Sequence, residues 1–267
     1  MGSQTGQTVS EADNNNRTSN SDRWRSGFLR ELLSWFWVIL AFFLVEGSVV
    51  QARVIPSGSM EKTILPGDHV LVTCFGYDAG VPFTDYHVPL WREPKRKQIV
   101  VFPAPFPGHP DLIKRIVGMP GDHLKIVNGQ VFVNGAPLNE PYAYHDPSLA
   151  AAFMDNFPPA ADSRAAQSQL TPAWAAELSK DIDDGTVVVP PREYFVMGDN
   201  RENSYDSRFW GFVPRASIIG TPAMIYMSIK APEEVWDPRH IGERFETYLR
   251  VFVHPSEVRW KRLFRTF

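Results

Sequence analysis

The chain has 267 residues, 43% of them hydrophobic, with 27 basic and 30 acidic side chains and a formal net charge of -3. Its length allows one substantial folded domain plus an anchor. A slightly acidic balance with scattered basic residues argues against a nucleic-acid partner, and a single cysteine, Cys74, rules out an intramolecular disulfide framework.

Residues 1–22 are polar and rich in Asn, Ser, Thr and Gln, so the stretch up to residue 31 is expected to be a disordered, cytoplasmic N-terminus. The run "LLSWFWVILAFFLVEGSVV", 32–50, is long enough as a helix to span roughly 28 Å, close to the hydrocarbon thickness of a bilayer. Only Glu46 interrupts it, near the end where a carboxylate reaches the interface. Arg17, Arg23, Arg25 and Arg30 precede this span, whereas Arg53 and Lys62 are the nearest basic residues after it. That asymmetry predicts a single-pass anchor with the N-terminus in the cytoplasm and residues 51–267 outside the membrane. Val50-Gln51-Ala52 also resembles a signal-peptide cleavage site, but the long leading region and Trp35, Phe36 and Trp37 fit an anchor better.

The rest reads as mainly β. "HVLVT" (His69–Thr73), "QIVVF" (Gln98–Phe102) and "LIKRIV" (Leu112–Val117) are short, β-branched and bounded by Pro or Gly. Cys74, next to the first of these, is expected to be a buried structural thiol. In "HLKIVNGQVFVNG", Asn128-Gly129 between two alternating runs predicts a hairpin. "TVVV" (Thr186–Val189), "YFVMG" (Tyr194–Gly198) and "SIIGTPAMIYMS" (Ser217–Ser228) come next. Short strands without long intervening helices predict an antiparallel β-sheet system or barrel. The alanine-rich stretch between Asp146 and Asp184, within a wider insertion over 136–186, breaks the pattern. Thr171 as N-cap and Pro172 in the first turn predict a helix there, and the insertion is expected to form a partly helical cap over the β core. The basic, aromatic tail "VRWKRLFRTF" reads equally as a lipid-facing segment or a solvated strand.

Three stretches carry candidate chemistry. In "VIPSGSMEKTI" (Val54–Ile64), Ser59 and Lys62 form an S-x-x-K. That pairing works when a helix returns the lysine to the serine's face, but Pro56, Gly58 and Pro66-Gly67 leave little room for one, and Glu61 would favour charged Lys62. In "DLIKRIVGMPGD", strand alternation puts Leu112, Lys114 and Ile116 on one face, where burial lowers a lysine's affinity for protons. The alternative is a strand lysine that snorkels to water. "MGDNRENSYDSRFWGFVP" (Met197–Pro214) packs charged residues between apolar segments, a pattern that in isolation reads as a solvated loop.

Taken together and in this order behind an N-terminal span, "PSGSM", "KRIVGMPGD" and "GDNRENSYDSRFWGFVP" resemble bacterial type I signal peptidase, as does "VNGAPLNEPY". The resemblance covers the span and most of Arg53–Ser228. It implies a largely antiparallel β fold and a Ser–Lys dyad that removes signal peptides from exported preproteins at small −1 and −3 residues, at a bilayer and without a cofactor or metal. By motif position Ser59 resembles the nucleophile and Lys114 the general base, and Ser57 joins the Ser59 amide in the oxyanion hole. Ser204 resembles the serine that orients the lysine; Asp199, Arg201, Asp206, Arg208 and Arg115 resemble its polar support. Lys62, Ile64, the alanine-rich insertion and the segment Ala231–His254 depart from the family pattern.

Such a serine needs a base within hydrogen-bond reach, and no histidine lies in a motif beside a serine and an acid. The alternatives are a self-cleaving repressor-type Ser–Lys peptidase and an inactive, membrane-anchored binding protein of the same fold. The first is disfavoured by the span, the second by retention of Ser59, Lys114 and Ser204. The aromatic stretches "FGYDAGVPF" and "FPAPFPGHP" place Phe75, Phe83 and Phe106 either in the core or in an exposed rim beside the cleft.

Overall fold

The structure, a computed structural model, describes residues 30–42, 49–80, 87–146, 148, 152–160, 163 and 167–267. The chain divides into two compact units, Met1–Glu46 and Gly47–Phe267. In the first, residues 30–42 form a helix whose large apolar side chains, Leu32 to Phe42, are mostly exposed. The expected disorder before residue 30, and 43–48 of the expected span, lie outside the described residues. Among the described residues no helix is long and apolar enough to cross a membrane. The far boundary of the expected span is corrected: Val50 is the first residue of a strand, paired with Thr73.

In the second unit the strands are β1 (Val50–Val54), β2 (Asp68–Thr73), β3 (Asp78–Gly80), β4 (His87–Pro89), β5 (Ile99–Phe102), β6 (Leu112–Gly118) and β7 (His123–Val127). Next come β8 (Gln130–Val133), β9 (Ala136–Pro137), β10 (Ile182–Asp183), β11 (Thr186–Val188), β12 (Glu193–Met197), β13 (Val213–Pro214) and β14 (Thr221–Ser228). They pair antiparallel into four sheets rather than one barrel: β1-β2-β14, β10-β11-β7-β8-β9, β13-β12-β6-β5 and β3-β4. Asn128 and Gly129 both take positive φ, +49° and +78°, as the two-residue turn of the β7–β8 hairpin demands. The last strand starts later than its sequence pattern, because Arg215–Ser217 coils into a 3-10 turn first.

Three clusters of buried side chains hold these sheets together, one of them, with Val100, Phe102, Ile116, Tyr194, Val196 and Trp210, around β5, β6 and β12. Ile55, Met60, Ile64, Val70, Val72, Cys74, Ile99, Val101, Ile113, Ile219 and Ile225 fill the space between β1-β2-β14 and β5-β6. Cys74 is buried there as a free thiol. Another cluster involves the insertion, whose helix Pro172–Glu177 starts where the capping signal lies, with Thr171 accepting from the Trp174 amide. The insertion sends apolar side chains into that core cluster. Phe157, Leu170, Trp174 and Leu178 pack with Val117, Leu124, Val187 and Phe195 as part of the core. Sheet strands β9 and β10–β11 bracket the insertion and draw it inward.

After β14 come a 3-10 turn, Glu233–Trp236, and a helix, Ile241–Val253, that no sequence signal flagged. The tail is neither free strand nor free helix. Phe264 N donates to Ile225 O (2.8 Å), and Arg262 Nη2 to Asp68 Oδ2 (2.6 Å), fixing it to β14 and β2. Of the expected aromatic rim, Phe75 is exposed against Trp91, Phe106 is half-buried between His109 and Tyr205, and Phe83 lies outside the described residues.

Candidate active site

Ser59 is the middle residue of a 3-10 turn, Gly58–Met60, just beyond β1. Pro56 brings no amide hydrogen to the ladder, so the chain leaves the sheet there. Met60 and Ile64 are completely buried in the layer beneath and pin the turn from below. From above, Asn200 N donates to Ser59 O (3.1 Å), and Asn200 Nδ2 to Gly58 O (3.3 Å). Gly58 N donates to Glu233 Oε1 (2.9 Å). The turn that carries Ser59 is thus held at the Gly58 and Ser59 carbonyls, at the Gly58 amide and by the buried side chains of Met60 and Ile64.

Lys114 lies in the middle of β6, opposite Val100 of β5, and is 3% exposed. Its Nζ is 2.6 Å from Ser59 Oγ, across 55 positions of sequence. Burial lowers its pKa from 10.5 to about 8; nearby Asp206 and Asp199 oppose that shift, and Arg208 adds to it. A lysine poised near neutrality beside a serine hydroxyl can act as a base. Ser57 Oγ, half-buried, is 3.4 Å from Ser59 Oγ.

The charged loop after β12 forms the layer behind the dyad. Asp199 is fully buried and accepts from Arg115 Nε (2.7 Å), Arg115 Nη2 (2.6 Å) and Thr63 Oγ1 (2.5 Å). Arg115 also stacks on the Tyr142 ring, 3.9 Å from its centroid. Asp206, fully buried, caps the short helix Ser207–Trp210 and accepts from Arg208 Nε and Nη2 (2.9 Å each) and from Gly198 N (3.1 Å). Burial pushes its carboxyl up, but the Arg208 guanidinium and these hydrogen bonds hold it below the ordinary carboxylate value. Arg208 Nη2 donates to Arg201 O (2.5 Å), and Arg201 forms a bidentate pair with Glu140 (2.6 and 3.0 Å). Every charge in this layer therefore meets its opposite, the condition for burying it at all.

Ser204 is buried beside Asp206, whose carboxyl it helps to hold down, and makes no hydrogen bond to Lys114. It stands against Gly198: a Cβ there would lie 2.3 Å from Ser204 Oγ and 2.5 Å from Ser59 O. Only glycine lets the loop and the nucleophile turn come this close. Lys62 is exposed and sits over the Tyr144 ring (3.8 Å), not at Ser59.

The structure thus brings Ser57, Ser59 and Lys114 into contact, with Arg115, Asp199, Arg201, Asp206 and Arg208 behind them and Ser204 alongside. Sequence reasoning overlooked Glu140, Gly198, Asn200, Thr63 and Glu233. Four of these lie in or next to stretches already singled out, but nothing in sequence links Glu233 to a glycine 175 positions away.

A cleft of about 380 Å³, lined among others by Pro56, Ser57, Leu112, Ile113 and Glu233, reaches Lys114. A second of about 260 Å³, lined by Val54, Pro56, Asp111, Ile113 and Trp236, continues it along β1. The Arg53–Asp111 ion pair (3.0 Å) joins the two walls. Both walls offer backbone edges. Among the described residues β1 pairs only with β2, and β6 pairs with β12 only from Arg115 onward, leaving one side of Leu112–Lys114 open. A larger cavity, about 910 Å³ and lined by Lys62, Arg92, Lys95 and Lys97 among others, is lined by neither Ser59 nor Lys114.

Residues 29–227 match the family model described as signal peptidase, peptidase S26. The chain is 30% identical to signal peptidase I of Buchnera aphidicola subsp. Acyrthosiphon pisum, over 78% of this chain and 78% of that one. It is 32% identical to signal peptidase I of Buchnera aphidicola subsp. Baizongia pistaciae, over 76% and 78%. A probable signal peptidase I-2 of Synechocystis is 36% identical over 68% and 65%. A buried serine against a desolvated lysine, in a chain that shares most of its length with such proteins, leaves little room for another classification: the chain is a serine peptidase of the signal peptidase family, peptidase S26.

Proposed function

We propose that this protein is a membrane-anchored endopeptidase that removes N-terminal signal peptides from exported preproteins, with Ser59 as nucleophile and Lys114 as general base. The observation that carries this reading is the 2.6 Å contact between Lys114 Nζ and Ser59 Oγ in a site where the lysine is almost fully desolvated. Neutral Lys114 takes the hydroxyl proton as Ser59 Oγ attacks the scissile carbonyl, and the ammonium then protonates the leaving amine. A water, deprotonated in turn by Lys114, hydrolyses the acyl-enzyme. Ser57 Oγ and the Ser59 amide stabilise the oxyanion, an effect worth roughly 3 kcal/mol per donor. Asp199, Asp206, Arg115, Arg201 and Arg208 hold the lysine strand and the nucleophile turn in register, while Ser204 packs against Gly198 beside Asp206 rather than holding Lys114. No step calls for a cofactor or a metal.

The preprotein lies extended between the open edges of β1 and Leu112–Lys114, adding a strand to each wall. Leu112 and Ile113 line the cleft beside Lys114, an apolar lining that supports a preference for small residues at −1 and −3. The exposed apolar helix over 30–42 and the arginines before it support a cytoplasmic-membrane anchor with the catalytic unit on the extracytoplasmic side.

The test is cleavage of a preprotein by the full chain in detergent or vesicles. Ser59→Ala and Lys114→Ala should each reduce cleavage by roughly 10⁴-fold or more, and the double variant should be no worse than either, since the two residues act as a unit. Ser57→Ala should lower kcat by about 10²–10³ with KM little changed. Full activity in Lys114→Ala would overturn the assignment. Tight preprotein binding without any cleavage by the unaltered chain would favour an inactive binding protein.

A further inference from the structure

The helix Ile241–Val253 is turned inside out. Its fully buried side chain is Thr247, with Arg244, Tyr248 and Val251 half-buried around it. Ile241, Phe245, Leu249, Phe252 and Val253 are instead 72%, 61%, 52%, 85% and 73% exposed. Their spacing gathers them into one stripe on the side away from Thr247. The polar face cannot simply roll outward, because it is fixed. Tyr248 Oη meets the ring Nε2 of buried His69 (2.7 Å), and Arg244 Nη2 donates to Trp236 O (2.5 Å). Farther along, Trp260 and Phe264 are 62% and 71% exposed.

An apolar stripe of this size calls for a partner, and charge says which. Of the seven Lys or Arg in residues 239–267, Arg239, Arg250, Arg259 and Arg262 are ion-paired with Asp237, Glu257 and Asp68, so a small surplus remains: Arg244, Lys261 and Arg265 against Glu243 and Glu246. A second copy would set this surplus against itself. The apolar segment of a signal peptide brings its own positively charged flank and would be repelled likewise. An anionic phospholipid surface satisfies both the apolar stripe and the cationic surplus.

We propose that Ile241–Val253 is an in-plane membrane helix, its Ile241–Phe245–Leu249–Phe252–Val253 stripe seated among the acyl chains of an anionic bilayer. The helix adjoins the substrate cleft, since Arg244 lines it together with Val54, Pro56 and Asp111. Docking therefore presses the cleft mouth toward the lipid surface. This inference stands on exposure and charge, independent of the dyad and of the N-terminal anchor.

The full chain offers a clean reporter. Cys74 is buried, and burial pushes its thiol up to about 11, so it does not compete for labelling. Phe245→Cys, Phe252→Cys and, outside the stripe, Glu243→Cys are each labelled with an environment-sensitive fluorophore and reconstituted into phosphatidylcholine vesicles with or without phosphatidylglycerol. The expected result is a blue shift and quenching by shallow spin-labelled lipids at 245 and 252, stronger with phosphatidylglycerol, and neither effect at 243. Equal emission at all three sites would overturn the proposal. So would a shift that appears only at high protein-to-lipid ratio, which indicates a second copy, or only with added signal peptide. As a second readout, Phe245→Ser with Phe252→Ser should slow cleavage of a vesicle-bound preprotein and leave cleavage of a short soluble peptide unchanged; equal effects on both substrates would count against it.

Discussion

Between Asp199 and Arg208 the chain buries five charged side chains, Asp199, Arg201, Glu202, Asp206 and Arg208; between Ile241 and Val253 it exposes five large apolar ones. Both segments invert the usual placing of residues, but their surroundings differ. In the first, each charge has an opposite charge or a hydrogen-bond partner within the protein: Arg115 for Asp199, Glu140 for Arg201, His145 for Glu202, and Asp206 with Arg208 for each other. In the second, the apolar stripe has no such partner among the described residues. An inversion satisfied inside the fold belongs to the working site, whereas one left open points outward, to whatever the protein docks on.

That contrast can be broken at its strongest point by removing one side of a buried pair. Asp206→Ala strands the Arg208 guanidinium, which is 1% exposed, and should destabilise the unit by roughly 3–5 kcal/mol in denaturant unfolding. A loss below about 1 kcal/mol, the range of surface ion pairs, would mean that the layer is solvated after all.

The next largest effect has the opposite sign. An unfolded lysine keeps its ordinary value of 10.5, while burial holds folded Lys114 at about 8. Between those values the unfolded chain binds more protons, so stability rises with pH across that window; below about 8 the full penalty is present. At 1.36 kcal/mol per pH unit, Lys114→Met should stabilise the fold by about 3 kcal/mol at neutral pH while abolishing cleavage, with the gain fading as pH rises from about 8 to the ordinary lysine value of 10.5 and absent above it. A destabilised Lys114→Met would show that the lysine is held by favourable contacts rather than strained by burial.

The smallest effect sharpens the other half of the contrast. Phe245→Ser removes an exposed ring and should change stability in detergent by no more than about 0.5 kcal/mol. A loss of about 2 kcal/mol or more would mean that the stripe is packed against the protein.

Much of this was legible in the sequence, for identifiable reasons. The strands declared themselves through alternation, and Asn128-Gly129 marked its hairpin because both residues take positive φ. The pairing of Ser59 with Lys114 was not legible from spacing, since 55 residues separate them; it rested on the resemblance of three blocks. The charged loop read in isolation as solvated because its partners, Glu140 and Arg115, come from elsewhere in the chain. The C-terminal helix went unnoticed because His240 provides no side-chain cap to announce its start. How deeply the insertion joins the core was not legible, because Trp174, Phe157 and Leu178 look like the apolar face of any helical appendage until the sheet they join is known.

The central claim is that Lys114 works as a neutral base against Ser59, and the pH dependence of kcat/KM for a short peptide substrate tests it most directly. Activity requires the deprotonated amine, so kcat/KM should rise with pH through a single ionisation at about 8 and level off above it. A profile that is flat from about pH 6 to about pH 10, or one that rises only near the ordinary lysine value, would contradict it.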